Sequence, residues 1–463
     1  MNFVIFPAFG GEDNIRVICK AHLLEISERK NIIALPCAGQ YWGCRKFNFG
    51  EKVVHNININ LKYTIKYSAV HSFYWSVFCS SLSFASVFLL SKHFRNSQIG
   101  IVLAIANILS VLLQPAVAAF ADTTRKISMK DLIVIFVGMA GALATARYFL
   151  SEYFIVLSLV FILELTILLT LQPFVNSLGM QLINQGIGVN FGLARGVGSM
   201  TYAVFSVLLG VLVENLGTDS LPMVSVALYI ALGTAAYTFT KKQSPHTAGD
   251  AILSESIDIT DETGIADTNH LFSFFMHNKK FTALMAAVSL MFCSHSMINN
   301  YFIQITENVG GTAKDMGIAT GIAAAIELPA MVLFGFWVKK IRCSSILKLS
   351  FFFFVVKAAL TMSATNVWML YAAQIFQFSS YALFIPASVY YVNEIIKKDD
   401  LAKGQAFMTS AITLGGVAAS LLGGWLLDSS GTGGMLFVGL IAAAVGFIIG
   451  LCAVEKVGVS EYG

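Results

Sequence analysis

Polar and apolar positions along this chain fall into two regimes. Up to about residue 62 they are mixed. From residue 67 they settle into twelve apolar runs, near 67–90, 97–121, 131–149, 153–183, 190–213, 221–240, 281–304, 316–338, 345–364, 367–394, 404–427 and 433–453. A helix rises about 1.5 Å per residue, so roughly 20 mostly apolar residues cross the hydrocarbon core of a bilayer. Each run reaches about that length and reads as a membrane-spanning helix. The turns between them are short except for 241–280, which is polar, acidic in its middle and follows the sixth run. The pattern predicts an all-α membrane protein of twelve transmembrane helices in two six-helix repeats. One half covers 63–240 and the other 281–455, with 241–280 as the linker between them and 456–463 as a tail. Residues 1–62 lack a basic start followed by an apolar core, so they do not read as a secretory signal. They are expected to be a poorly ordered cytoplasmic extension, or sequence ahead of the mature start.

The two sets of runs repeat each other. "GIVLAIANILSVLLQPAVAAFAD" (100–122) matches "GIATGIAAAIELPAMVLFGFWVK" (317–339) at an offset of 217, and "GVLVENLG" (210–217) matches "GWLLDSSG" (424–431) at 214. The second and eighth runs therefore correspond, as do the fifth and eleventh. Parallel repeats imply a pseudo-twofold axis along the membrane normal and a binding site near the midplane between the halves.

Composition agrees. Of 463 residues 56% are hydrophobic and 12% charged, about half the charged share of an average soluble domain. The distribution of basic residues sets an orientation. With the start of the first run cytoplasmic, inside loops carry fourteen Lys and Arg, and outside loops carry Lys92, Arg95, Arg147 and Lys314. Both termini and the linker are thus expected in the cytoplasm of a multi-pass cell-membrane protein. A net charge of +4 spread this way gives no nucleic-acid signal. The seven cysteines form no CxxC and no His-rich cluster, and those at 79, 293 and 452 sit in apolar runs as small hydrophobes. Neither disulfide, metal nor cofactor is inferred.

On these grounds the chain resembles the major facilitator superfamily over about residues 64–455. The loop "AAFADTTRK" resembles that superfamily's signature loop, keeping Asp122, Arg125 and Lys126 but with Ala118 for its leading glycine. The partner loop "GFWVKKIR" keeps Gly335 and has Lys339 where the acid stands. Within the superfamily the likeness runs to the oligosaccharide:proton symporters typified by lactose permease. "SQIGIVLAIANILSVLLQPAVAAFAD" resembles their second span, with Gln114 and Pro115, and "NFGLARGVGSMTY" their fifth. The resemblance implies that Arg195 binds sugar hydroxyls and Tyr202, two turns on, stacks against the sugar ring. It places the arginine's fourth-span partner on Asn176, and the ninth-span cation on Lys357. The histidine and glutamate that couple protons in the tenth span fall on Gln377 and Ser380, and a seventh-span aspartate falls near His295. The sugar platform is kept; the proton relay is not.

Ionisable groups at membrane depth cost at least a few kcal/mol, so they normally face a cavity and a partner. Arg195 lies about one turn inside its span. Glu327, mid-span beside Pro329, is the first candidate for proton coupling, and its pairing with an empty-site Arg195 is expected. Glu164 is the second candidate. With Gln172 and Asn176 it forms one polar arc of its helix, read as a cavity wall. His295 is the third, spaced four residues from Asn299, and Gln304 continues the polar character. The tenth span adds Gln374, Gln377, Tyr381 and Ser388, neutral groups suited to a hydroxylated ligand. Phe351 to Phe354 read as lipid-facing bulk. Gly192, Gly196 and Gly198 read as close-contact positions.

No nucleophile motif, phosphate loop or metal spacing appears, so no enzyme is expected. Nor does the acidic linker suit the ordered soluble domain of a sensor. The expected function is secondary active transport, proton-coupled uptake of a sugar or oligosaccharide by a monomer in the bilayer. A nucleoside, an aromatic acid or a drug-like compound, or export in place of uptake, is the alternative.

Overall fold

The computed structural model describes residues 49–123, 128–184, 187–239, 278–396 and 400–457. Contacts divide the chain into two units, Met1–Val53 and Val54–Gly463, and the helical bundle is the second. Every regular element among the described residues is helical: α1 (Phe49–Phe78), α2 (Ala85–Ser91), α3 (Asn96–Thr123), α4 (Met129–Phe149), α5 (Phe154–Asn184), α6 (Phe191–Leu216) and α7 (Ser220–Tyr237) in the first half. The second half has α8 (Lys279–Asn300), α9 (Phe302–Asn308), α10 (Ala313–Trp337), α11 (Cys343–Ser363), α12 (Val367–Ile375), α13 (Leu383–Ile395) and α14 (Leu401–Ala453).

Among the described residues ten helices are long and apolar enough to cross a membrane, or eleven if α1 and α2, bent by 40° against each other, count as one broken span. At 53 residues α14 would be about 80 Å long if straight, more than twice a bilayer core. It breaks at Gly431, whose φ of 70° lies outside the helical region, between the runs 404–427 and 433–453. α1 begins at Phe49, inside the stretch read as a poorly ordered extension. One expectation needs correction, that for Arg147: counted as a loop charge, it lies in α4 and is 1% exposed. The signature-loop residues Arg125 and Lys126 lie outside the described residues.

Side-chain exposure runs opposite to that of a soluble domain. Leu112 and Ile155, at 66% and 71%, are typical of the outward faces, while the interior holds Tyr67, Tyr74 and Phe161. This is what a lipid-facing bundle requires, since every backbone group is satisfied within its own helix. The FFFF run obeys helical periodicity: Phe351 and Phe354 are buried and Phe352 is exposed, so it is not wholly lipid-facing bulk.

The two halves meet at two crossings, and the internal repeat relates them. In the first, α3 crosses α14: a Cβ at Gly100 would sit 2.1 Å from the Ser420 carbonyl oxygen, and one at Gly424 2.3 Å from that of Asn96. In the second, α10 crosses α6: a Cβ at Gly317 would sit 2.4 Å from the Ser206 carbonyl oxygen, and one at Gly210 2.6 Å from that of Ala313. Gly100 and Gly317 are 217 apart, and so are Asn96 and Ala313; Ser206 and Ser420 are 214 apart, and so are Gly210 and Gly424. Only glycine admits backbone approach this close. The repeat ends alike as well, with Gly217 at φ 80° closing α6 and Gly431 breaking α14.

The crossings are tied by different side chains: at the second, the Ser206 hydroxyl donates to the Gly317 carbonyl at 2.9 Å. Asp428 of α14 caps the start of α3 from the other half: its carboxylate accepts from the backbone N–H groups of Asn96 (3.1 Å) and Ser97 (2.8 Å) and from the Asn96 side chain (3.0 Å). At the second crossing α10 is capped from within by Thr312 and Asp315. Glu214, the repeat mate of Asp428, is exposed and makes no side-chain hydrogen bond or ion pair among the described residues.

Candidate functional site

A cavity of about 390 Å³ lies between the halves, a size that takes one small ligand. Helical spacing brings its walls together. From α6 come Arg195, Ser199 and Tyr202, at intervals of four and three. From α10 come Thr320 and Glu327, and from α8 His295 and Asn299. Gln172 of α5 and, from α1 and the turn that follows it, Trp75, Phe78, Leu82 and Ser83 complete the first half's contribution. The start of α6 is set by Asn190, whose side chain accepts from the Leu193 N–H at 2.9 Å and fixes the phase of Arg195 one turn later.

Two π-helical turns aim further groups. Such turns insert one extra residue and re-aim the side chains that follow. Cys79–Ser83 joins α1 to α2, with the Phe84 N–H bonded to the Cys79 carbonyl, and brings the Ser83 hydroxyl to 2.7 Å from that of Tyr202. Phe378–Ala382 joins α12 to α13, with the Ala382 N–H on the Gln377 carbonyl. It sets Tyr381 against His295, ring centroids 5.2 Å apart and 14° from parallel. Gln374, Gln377 and Tyr381 all line the cavity.

The second half's charges form a chain. Lys357, buried in α11, donates to the Gln377 side-chain carbonyl at 2.5 Å, and the Gln377 amide donates to Glu327 at 2.8 Å. Lys357 itself does not reach the cavity wall; Gln377 stands between it and Glu327. On the other wall, Arg195 makes no side-chain hydrogen bond or ion pair among the described residues. Its guanidinium lies 5.8 Å from the centroid of the Trp75 ring. The expected pairing of Arg195 with Glu327 is therefore not made, because Gln377 holds that carboxylate.

Of the residues singled out from sequence, Arg195, Tyr202, Gln374, Gln377, Asn299, Glu327 and His295 line the cavity. His295 and Asn299 bond to each other across one helical turn at 2.9 Å. Lys357, Asn176 and Glu164 do not line it. Lys357 stands behind Gln377. Asn176 is one turn beyond Gln172, and its backbone carbonyl accepts from Tyr67 at 3.0 Å. Glu164, fully buried, faces away from the cavity and pairs with Arg147 at 3.3 Å inside the first half. The polar arc of α5 is thus split: Gln172 reaches the cavity, and Glu164 points into packing. Ser388 is also off the wall, bonded to the Ile385 carbonyl.

Sequence reading missed Trp75, Ser83, Ser199 and Thr320. The signal was the density of small polar residues along the first span, with His71, Ser72, Ser76, Ser80, Ser81 and Ser83 within one to four residues of one another. A span facing lipid on every side would not carry them.

Residues 64–437 match the MFS_1 like family. A transporter of Bacillus subtilis (strain 168), YwbF, is 23% identical over 407 residues, spanning 87% of this chain and 94% of its own. The maltose permease of Geobacillus stearothermophilus is 24% identical over 399 residues, spanning 83% and 93%. Among solved structures, the nucleoside transporter NupG superposes with a TM-score of 0.67 at 14% identity, over 84% of this chain and 98% of its own. A bacterial homologue of the iron transporter ferroportin, in its inward-facing state, does so at 0.63 and 12%, over 86% and 99%. At such identities the structural likeness is one of fold.

Proposed function

The chain belongs to the MFS_1 like family, whose fold is that of a membrane transporter and not an enzyme, and we propose that it carries a neutral, hydroxylated small molecule together with protons. One observation carries this reading. The cavity between the halves sets one unpaired guanidinium, Arg195, opposite a run of neutral amides, with a single carboxylate, Glu327, among them. A guanidinium fork and side-chain amides suit vicinal hydroxyls, and Tyr202 supports the apolar face of a ring. A sugar or oligosaccharide fits best, in line with the maltose permease likeness. A nucleoside is the second reading, favoured by the flat His295–Tyr381 pair, against which a base can stack.

In this mechanism the two halves rock about the midplane site. Counting the limbs of α14 separately gives twelve spans, and the excess of Lys and Arg on one side puts both termini in the cytoplasm. Glu327 loads and releases the proton. It is the one carboxylate among the described residues of the wall, and when protonated its carbonyl oxygen can still accept from the Gln377 amide, whose own oxygen stays on Lys357. Arg195 binds ligand and, because it is not tied to Glu327, is free for it in both states.

The test is uptake in proteoliposomes holding the purified full chain, with maltose and uridine as probes and an inward proton gradient. Accumulation of maltose that collapses with the gradient supports the first reading, and accumulation of uridine alone supports the second. Arg195→Lys, which cannot reproduce the fork, should abolish either. Gradient-independent equilibration would remove the proton half of the proposal, and no uptake of either probe would remove the substrate class.

A further inference from the structure

Arg195 presents a problem of stability that its surroundings answer in an unusual way. A cation at membrane depth is ordinarily neutralised by a carboxylate. Here the position that the symporter pattern gives to that partner is Asn176, which is off the cavity wall, and the carboxylate across the cavity is held by Gln377. What lies against the guanidinium is the face of Trp75, 5.8 Å from ring centroid to Cζ, within the range at which the ring's negative quadrupole attracts a cation.

The indole is itself locked. Its Cδ1 edge fits against Gly198, one turn after Arg195 on the same helix, where a Cβ would come within 2.7 Å of the ring. Tyr202 meets it edge to face, centroids 6.4 Å apart at 86°, and Phe78 packs on it at 5.1 Å. Any side chain at 198 would push the ring off the guanidinium. Arg195, Gly198 and Tyr202 thus form one seat on α6 for a single side chain of α1.

We propose that Trp75 is the positioning residue for Arg195, taking the place of the missing carboxylate. The inference rests on the reading of Arg195 as the ligand-binding cation. A ring attracts a cation without occupying its N–H groups, so all five donors stay available to the ligand, which a bidentate carboxylate would not allow. Trp75 acts through Arg195.

A double-mutant cycle separates this from ordinary packing, because a residue acting through another loses its effect when the other is gone. Purified full-length wild type, Trp75→Leu, Trp75→Phe, Arg195→Ala and Trp75→Leu/Arg195→Ala are compared in two ways. Without ligand, thermal midpoints should be non-additive: Trp75→Leu costs clearly less in the Arg195→Ala background than in wild type. With whichever of maltose or uridine the wild type binds, Trp75→Leu should weaken Kd by about tenfold, Trp75→Phe by about threefold at most, and Trp75→Leu should add nothing to Arg195→Ala. Additive midpoints would overturn the proposal whether or not either probe binds. Additive losses in Kd would make Trp75 an independent ligand contact and overturn it equally. Failure of both probes to bind wild type, with coupled midpoints, sinks the substrate reading and leaves the positioning role standing.

Discussion

Each half of the molecule carries a buried cation from its third span and a carboxylate near it, buried in the first half and half-buried in the second, and each does so next to a π-helical turn. In the first half Arg147 and Glu164 are both under 2% exposed, 3.3 Å apart, and ringed by partners. Ser81 of the π turn donates to Glu164 at 2.8 Å, Ser225 accepts from Arg147 at 3.1 Å, and the Phe88 and Phe161 rings lie about the guanidinium at 5.1 and 4.9 Å. In the second half Lys357 and Glu327 have an amide between them, and the carboxylate end opens on the cavity. Charge content is the same and reach is different. A pair closed on itself can only hold helices together. A pair spread over three residues, with one end in the cavity, leaves a carboxylate open to it, which the proposed mechanism uses as its proton site. Which ionisable group works is decided by what stands beyond it.

That contrast can be broken experimentally, and the largest effect should come from the sealed pair. Arg147→Leu strands a buried carboxylate and should cost about 3–5 kcal/mol, seen as a sharply lower thermal midpoint or loss of folded protein in detergent. Arg147→Leu/Glu164→Leu, removing both charges, should recover most of it and still transport. If the double variant folds but cannot couple flux to a pH gradient, Glu164 is a transport group after all and the contrast fails. Next comes Glu327→Gln. The folded protein should persist with a near-normal midpoint and measurable ligand exchange, while accumulation against a gradient stops. Persisting accumulation would move the coupling site elsewhere.

Lys357→Met should fall between these in effect. It leaves Glu327 without its cation, but that carboxylate can take up a proton or water from the cavity, so the loss of midpoint should be less than half that of Arg147→Leu. A loss as large would mean the second half's chain is a structural rivet like the first. The smallest change in transport is that of Ser81→Ala, which removes one hydrogen bond to a charged group and should cost roughly 1.5–3 kcal/mol of stability, with the pH dependence of uptake untouched.

The fold was largely legible because apolar run length is a physical requirement of the bilayer, and it survives in sequence without any knowledge of packing. The crossings were legible in part: the repeat paired Gly100 with Gly317 and Gly210 with Gly424, but not that each faces backbone. The site was legible where a motif fixed the inward face, as for Arg195 and Tyr202, and where a polar group stood mid-span, as for Glu327, His295, Asn299 and Gln374. Spacing along α5 put Glu164, Gln172 and Asn176 on one arc, yet an arc has no sign. Nothing in the spacing says which part of it looks inward and which packs on α4. Arg147 was misread for a related reason. A cation near a span's end resembles a loop charge until its partner, 17 residues later and across a turn, is known. Trp75 escaped because aromatic residues are ordinary in lipid-facing spans, and its role depends on a neighbour more than a hundred residues away.

The carboxylate of Asp428, spanning from one half to the first N–H groups of the other, has a mechanical meaning. At both crossings backbone lies against backbone, and a side chain ties each: Asp428 to the start of α3, and the Ser206 hydroxyl to the Gly317 carbonyl at 2.9 Å. With three bonds to a carboxylate between α3 and α14 and one hydroxyl bond between α6 and α10, the pair is hung like a door, with a hinge side and a freer side. For a given angle of swing the free edge travels farther. Spin labels placed across α6 and α10 should report a larger and broader change in separation than labels across α3 and α14, and Asp428→Asn should narrow that difference.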